Sequence, residues 1–184
     1  DNPSKLSEKI FTNLCQEYFE HAYPGYKALL VNSCTRALEL IALSLEVGPN
    51  DEVVLPSFNY VGVANAFAAT GAQLIFADID GQSMDVTSNS IEKCLSANTK
   101  AVVVMNYAGV GIELDAIREL CDTHDVVFVE DNAQGLCAYM GDKQLGSFGD
   151  FSCISFDSLK NISCGEGGVI LYKPRFEESV ETVF

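Results

Sequence analysis

The chain has 184 residues, enough for one well-buried core and too few for a second full domain of similar size. Its composition, 48% hydrophobic and 20% charged, is typical of a folded globular protein and excludes a disordered one. With 26 acidic and 11 basic residues, the formal net charge of −15 argues against nucleic acid and anionic membranes as partners.

Helix-like and strand-like segments alternate along the chain. In order, the apolar spacing predicts helix 6–23, strand 27–31, helix 35–47, strand 51–56, helix 61–71, strand 72–79, helix 88–97, strand 100–107, helix 113–125, strand 126–131, and strands 151–156 and 167–172. Strands that alternate with helices and form continuous apolar runs indicate a mostly parallel sheet buried on both faces. We therefore expect one α/β domain, whose last strand is antiparallel because its connection is too short for a crossover.

The seven cysteines are odd in number and scattered, and no Cys-x-x-Cys pair occurs. With only two histidines to complete a metal site, we interpret the cysteines as reduced thiols of a cytoplasmic protein that holds no metal. We find no signal-peptide pattern and no apolar run near the ~20 residues of a membrane span, so no membrane partner is expected.

Two segments that follow predicted strands are candidates for ligand contacts. The segment NSCTRAL (32–38) opens a helix, where backbone N–H groups and the helix dipole favour an anion. Ser33 or Thr35 is equally suited to be an ordinary N-cap, and the dinucleotide fingerprint G-x-G-x-x-G is absent. In PSFNYVG (56–62), Tyr60 either lies against a bound ring or packs in the core.

Two later segments add a carboxylate and an amine. VVFVEDNAQG (126–135) ends a strand with Asp131, which either caps a helix or pairs with a protonated ring nitrogen. CISFDSLKN (153–161) places Lys160 just beyond a strand, either as solvated surface or as a partly desolvated amine that forms a Schiff base. Carboxyl ends of parallel strands share one edge, so all four segments converge there. The combination of an anion-binding helix start, an aromatic ring, a carboxylate and an amine indicates pyridoxal phosphate as the cofactor.

These segments, with PNDEVVLPSFNYVGVANAF, NYAGVGIELD, GSFGDFSCISFDSLKN and GEGG, resemble the nucleotide-sugar aminotransferases of the DegT/DnrJ/StrS family. The resemblance implies the large domain of a type I PLP-dependent aminotransferase over residues 1–184: a mostly parallel seven-stranded sheet with helices on both faces. It also implies a homodimer with active sites at the subunit interface. Relatives continue into a small C-terminal domain that this sequence lacks, so residues 1–184 alone are expected to bind the cofactor weakly and not to transaminate.

The resemblance also assigns roles to individual residues. Lys160 would form the Schiff base and move protons, and Asp131 would pair with the pyridine nitrogen. The remaining cofactor contacts would be Tyr60 stacked on the ring, Gln134 at the ring hydroxyl, and Cys34, Thr35 and Ser155 at the phosphate. Two positions depart from the family: Asn106 replaces a common histidine, which is expected to alter sugar contacts, and Asn132 replaces a small residue.

The reaction implied is transfer of the amino group of L-glutamate to a nucleotide-linked 4-keto-6-deoxy sugar. Related sugar dehydratases carry histidine at the lysine position, so Lys160 argues against that chemistry. A cysteine desulfurase would have histidine next to the lysine, where Leu159 and Asn161 stand. A catalytically incomplete cofactor-binding fragment, or a non-enzymatic relative, is the alternative that the sequence leaves open.

Overall fold

Seven strands form one sheet in the computed structural model, which describes the backbone of residues 3–184 and the side chains of residues 10–184. The strands of this sheet are β1 (Lys27–Val31), β2 (Glu52–Pro56), β3 (Gln73–Ala77), β4 (Thr99–Met105), β5 (Val127–Asp131), β8 (Phe151–Ser155) and β9 (Gly168–Tyr172). A separate hairpin consists of β6 (Tyr139–Met140) and β7 (Lys143–Gln144). The helices are α1 (Pro3–Ala22), α2 (Cys34–Ser44), α3 (Val61–Ala68), α4 (Ser88–Glu92), α5 (Leu114–His124) and α6 (Glu177–Val183), with 3-10 turns at Tyr107–Gly109 and Pro174–Phe176.

The strand order across the sheet is β1-β9-β8-β5-β4-β2-β3. Strands β8, β5, β4, β2 and β3 are parallel neighbours, and β9 lies antiparallel between β1 and β8. The predicted seven strands, the mostly parallel sheet and the antiparallel last strand are therefore confirmed.

Apolar side chains cover both faces of the sheet, as its continuous apolar strands require. In β4, Val103 faces a core that contains Ile41 of α2 and Phe67 of α3. Its neighbour Val102 belongs to the core on the opposite face, with Ile117 of α5. A third cluster packs α1 against β8 and β9. The expected helices on both faces are thus confirmed.

Several element boundaries differ from the sequence prediction. Helix α4 ends at Glu92, whereas the apolar pattern predicts a helix to residue 97. The backbone hydrogen bonds that follow connect residues only three apart, which is not the spacing of an α-helix. The hairpin β6–β7 and helix α6 were not predicted, since two-residue strands and a seven-residue helix carry too little periodicity. No helix among the described residues is long and apolar enough to cross a lipid bilayer.

Strand β9 passes close to the start of α2, and this approach shapes the carboxyl edge of the sheet. A Cβ atom at Gly168 would lie 2.8 Å from the backbone nitrogen of Cys34 and 2.9 Å from the carbonyl carbon of Ser33. Both neighbours are backbone atoms that cannot easily move, so only glycine permits this spacing. The glycine therefore brings the N-terminus of α2 against β9, at the edge where β5 and β8 end.

Candidate active site

One cavity of about 450 Å³ opens at the carboxyl edge of the sheet. All seven residues predicted to contact a cofactor line it: Cys34, Thr35, Tyr60, Asp131, Gln134, Ser155 and Lys160. The sequence prediction missed seven further lining residues: Leu38, Met105, Ala133, Asp157, Leu159, Glu166 and Gly167. Ser33, which the sequence left as either an anion contact or an N-cap, also lines the cavity. The four segments singled out in the sequence therefore do meet at one place.

Asp131 is the last residue of β5, between Met105 of β4 and Cys153 of β8, and only 3% of it is exposed. Its Oδ1 atom accepts the Ala133 N–H at 3.1 Å and the Cys153 thiol at 3.6 Å. Within the described part of the chain, no hydrogen bond reaches Oδ2. No helix follows Asp131 directly, so the helix-capping alternative is wrong.

The electrostatic environment of Asp131 is set mainly by its burial. Burial raises the pKa of its carboxyl group, because water no longer stabilises the charged form. The Ala133 N–H, the Cys153 thiol and the charge of Lys160 lower this pKa in part. A cation bound next to Oδ2 would favour the ionised form further.

Lys160 lies in the loop after β8 and is partly buried. Its backbone N–H donates to the carbonyl of Asp157 at 3.0 Å, which closes a turn that carries the side chain to the cavity. Among the cavity-lining residues that the structure describes, Lys160 alone carries a positive charge. Lys160 therefore lies at the cavity, and its role as the reactive amine stays a prediction.

The start of α2 lines the side of the cavity. Ser33 is the N-cap, with an extended backbone (φ −162°), and its Oγ atom accepts the Arg36 N–H at 3.2 Å. The N-cap alternative is therefore correct for Ser33. The N–H groups of Cys34 and Thr35 lie in the first helical turn, where no intrahelical acceptor exists. A phosphate here would be held by backbone N–H groups and not by a basic patch.

Tyr60 directly precedes α3 and is 64% exposed, so the core-packing alternative is wrong. A Cβ atom at Gly62 would lie 2.6 Å from Cε1 of the Tyr60 ring and 3.4 Å from Oγ1 of Thr35. The missing side chain at Gly62 thus leaves space for the tyrosine ring beside the start of α2. The glycine two residues after the tyrosine is the sequence signal for this arrangement.

Two more predicted residues are held by local hydrogen bonds. Gln134 accepts the Ala108 N–H through Oε1 at 2.7 Å, which leaves its Nε2 as a donor for a ligand. Ser155 is buried at the end of β8, and its Oγ atom accepts the Asp157 N–H at 3.3 Å. Both side chains lie at the cavity in a fixed orientation.

Asn106 and Asn132 do not line the cavity, and the effect of Asn106 on sugar contacts stays a prediction. Both are buried, and Asn106 Nδ2 donates to Glu130 Oε2 at 3.1 Å and to Asn132 Oδ1 at 3.0 Å. A Cβ atom at Gly135 would lie 1.9 Å from Asn132 Oδ1, so this larger residue is matched by a glycine. The two asparagines support the loop that carries Gln134.

Glu130 anchors the same network and was missed by the sequence analysis. Its two carboxylate oxygens accept three backbone N–H groups, from Gly146 at 2.9 Å, Phe148 at 2.6 Å and Gly149 at 2.7 Å. Burial raises the pKa of Glu130, and these bonds together with the one from Asn106 lower it in part. The acid pair Glu130–Asp131 was visible in the sequence, and Asp131 was chosen as the ligand-facing acid because it ends the predicted strand, but no role was assigned to Glu130.

The mostly parallel seven-stranded sheet with helices on both faces is the fold of type I PLP-dependent aminotransferases, as the similar solved structures show. Comparison with protein families matches residues 9–181 to the DegT/DnrJ/EryC1/StrS aminotransferase family. The crystal structure of the aminotransferase TlmJ from Streptoalloteichus hindustanus superposes with a TM-score of 0.79 at 40% identity, over 85% of this chain and 42% of that chain.

Two curated relatives support the same assignment. GDP-perosamine synthase from Vibrio cholerae is 35% identical over 144 residues, which cover 78% of this chain and 39% of that protein. A dTDP-4-dehydro-2,3,6-trideoxy-D-glucose 4-aminotransferase from Saccharopolyspora spinosa is 35% identical over 143 residues, 78% of this chain and 37% of that protein. The chain belongs to the DegT/DnrJ/EryC1/StrS aminotransferase family, and it spans about two fifths of the length of these relatives.

Proposed function

We propose that the protein carrying this chain is a pyridoxal-phosphate-dependent aminotransferase that moves the amino group of L-glutamate to a nucleotide-linked 4-keto-6-deoxy sugar. The observation that carries the proposal is one cavity shared by Asp131, Lys160 and the N-terminus of α2. The names of the two curated relatives support a nucleotide-sugar substrate. The sequence motifs also resemble those of dTDP-4-amino-4,6-dideoxygalactose transaminases, which favours the 4-keto-6-deoxy class.

The donor set of the cavity fits the three reactive features of pyridoxal phosphate. Backbone N–H groups at the start of α2 suit the phosphate, since they offer donors without needing a basic patch. Oδ2 of Asp131, which has no hydrogen-bond partner in the described residues, suits a protonated ring nitrogen. Lys160 supplies the amine for the aldehyde.

Bound pyridoxal phosphate supplies an aldehyde that joins to an amine and a ring that accepts the electrons left when a carbon loses its proton. Asp131 would keep the ring nitrogen protonated by holding a buried negative charge beside it. The Nζ atom of Lys160 would accept the proton from the donor amino acid and return one to the sugar carbon. Tyr60 would contact the ring, and the N–H groups at the start of α2 would hold the phosphate.

The proposal extends to location and assembly. We propose a cytoplasmic homodimer, in which the second subunit covers apolar side chains at the cavity. Leu159, next to Lys160, is 90% exposed, and Tyr60 is 64% exposed. Exposed apolar groups at a functional cavity are typical of a surface that another protein surface covers. Sedimentation equilibrium tests the dimer, and a monomer at all concentrations would contradict it.

The test of the proposed function is Lys160→Ala, with Lys143→Ala as the matched control. Lys143 does not line the cavity, because its Nζ lies 3.7 Å from Asp115 and 3.8 Å from the centre of the Phe148 ring. Borohydride treatment of the cofactor-loaded protein followed by peptide mapping should label the peptide with Lys160. Lys160→Ala should lose the label and the spectral response to glutamate, whereas Lys143→Ala should keep both.

Two outcomes would contradict the proposal. Labelling of a different lysine would show that Lys160 does not carry the aldehyde chemistry. A protein that takes the label at Lys160 but shows no spectral change with glutamate, glutamine or other amino acids would support the non-enzymatic alternative. Activity on nucleotide keto-sugars is measured on the protein at the length of its relatives, since their chains extend well beyond the matched segment.

A further inference from the structure

Two cysteines and Asp131 form a compact cluster at the cavity. The Sγ atoms of Cys34 and Cys153 and a carboxylate oxygen of Asp131 all lie within 4.8 Å of one another. Cys34 and Asp131 line the cavity, and Cys153 lies fully buried beside them on β8. Neither cysteine is in a disulfide, so both sulfurs are available as ligands.

We propose that Cys34, Cys153 and Asp131 bind a soft divalent cation of the zinc class, and that this cation and pyridoxal phosphate exclude each other. In a tetrahedral zinc site, a thiolate at about 2.3 Å and a carboxylate oxygen at about 2.1 Å lie about 3.6 Å apart. The distance between Cys153 Sγ and Asp131 Oδ1 is 3.6 Å. These two atoms therefore already have the spacing of ligands on one metal ion.

The ligand types favour zinc or cadmium over magnesium or calcium. Thiolates select soft and borderline cations, whereas magnesium and calcium prefer oxygen ligands alone. Two thiolates and one carboxylate leave the fourth tetrahedral position open toward the cavity for water. The net charge of −15 and the acids Asp157 and Glu166 at the cavity raise the local concentration of cations.

Mutual exclusion follows from shared groups, and this part rests on the proposed function. Cys34 and Asp131 both line the cavity proposed for the cofactor, so a metal ion bound between them, with its water, would occupy part of the space that the cofactor needs. Cys34 lies in the helical turn assigned to the phosphate. Zinc bound at this site would therefore inhibit the enzyme by preventing cofactor binding.

The first experiment titrates the reduced, cofactor-free protein with Cd²⁺ and Zn²⁺. Cd²⁺ bound by thiolates gives a ligand-to-metal charge-transfer band, and competition with a chelator gives the affinity. Cys34→Ala and Cys153→Ala should each weaken Cd²⁺ binding by more than about 100-fold, because replacing a residue that only supports a metal ligand already lowers metal affinity by roughly 10- to 100-fold. The matched controls are Cys137→Ala, an exposed cysteine, and Cys121→Ala, a buried one, and both should bind Cd²⁺ as the parent does.

Unchanged Cd²⁺ affinity in both cluster variants, with circular dichroism showing that they fold, would overturn the metal site. The second experiment adds pyridoxal phosphate to the Cd²⁺-loaded protein and follows both spectra. Loss of the thiolate band as the cofactor binds is expected, and a band that persists at full cofactor occupancy would overturn the exclusion. If pyridoxal phosphate does not bind even without metal, the proposed function fails, while the cysteine variants still decide the metal site.

Discussion

Replacing Asp131 with asparagine is expected to weaken cofactor binding and to stabilise the cofactor-free protein. The change keeps the size of the side chain and an oxygen that can accept the Ala133 N–H, which lies 3.1 Å from Oδ1. It removes the negative charge next to the ring nitrogen. A hydrogen bond to a charged group contributes about 1.5–3 kcal/mol, so the Kd for pyridoxal phosphate should rise roughly 10- to 150-fold.

The effect on stability has the opposite sign, because it depends on the buried charge. Burial raises the pKa of Asp131 in the folded protein above its unfolded value. A carboxyl group with a raised pKa makes its full contribution to stability at low pH, and that contribution is lost as the pH rises through the folded pKa. Asp131→Asn removes the charge, so its cofactor-free form should melt at a higher temperature than the parent at about pH 8.

The assay combines thermal melts without cofactor, cofactor titration by fluorescence, and turnover at saturating cofactor. Asp157→Asn is the control, since Asp157 lines the same cavity but accepts the backbone N–H of Leu159 at 3.0 Å. It should leave the Kd within about twofold, a change well below 1 kcal/mol. An Asp131→Asn protein that binds the cofactor as tightly as the parent, or that turns over within a few fold of it, would refute the role given to this carboxylate.

Three further predictions concern stability: two change residues next to the site, and the third changes a buried acid elsewhere in the fold. Glu130→Gln removes the acceptor for two buried N–H groups, so it should lower the free energy of unfolding by about 2–6 kcal/mol in urea titrations. The control, Glu119→Gln at an exposed position, should leave the free energy of unfolding almost unchanged. Equal free energies of unfolding for the two variants would contradict the proposed hydrogen-bond network. Gly168→Ala should lower the free energy of unfolding by about 1–3 kcal/mol and weaken cofactor binding, because its Cβ atom would lie 2.8 Å from the backbone nitrogen of Cys34. An unchanged melting temperature would contradict this, since it would show that α2 can move away from β9 without cost. Burial raises the pKa of Asp85 from 3.8 to about 6, so the free energy of unfolding of the parent should fall by up to about 3 kcal/mol between about pH 4 and pH 8. If Asp85→Asn shows the same dependence of stability on pH as the parent, the prediction is wrong.

The local elements followed from the sequence because their signals are local. The strand of residues 27–31 was predicted with the bounds that β1 has, since an apolar run of this length after Gly25 is typical of a strand and short for a helix. The seven cofactor residues could be placed together for a geometric reason. Parallel strands end at the same edge, so residues just beyond several strands lie along one side of the sheet, where ligands bind in doubly wound α/β folds.

The contacts around those residues depended on the strand order, which local periodicity does not encode. Asn106 follows β4, and only the pairing of β4 with β5 turns its amide into the core toward Glu130 and away from the cavity. The sequence could only compare that position with relatives, so neither the burial of Asn106 nor its hydrogen bond to Glu130 was predicted.

The cysteine cluster shows the same limit most clearly. Cys34 and Cys153 lie far apart in sequence, and their spacing matches no metal motif, so the sequence analysis predicted no metal site. They become neighbours because β9 inserts antiparallel between β1 and β8 and because Gly168 lets α2 start against it. Which thiols share a site is fixed by that packing, since sulfur–sulfur distances depend on the approach of whole elements and not on the residues within any one of them.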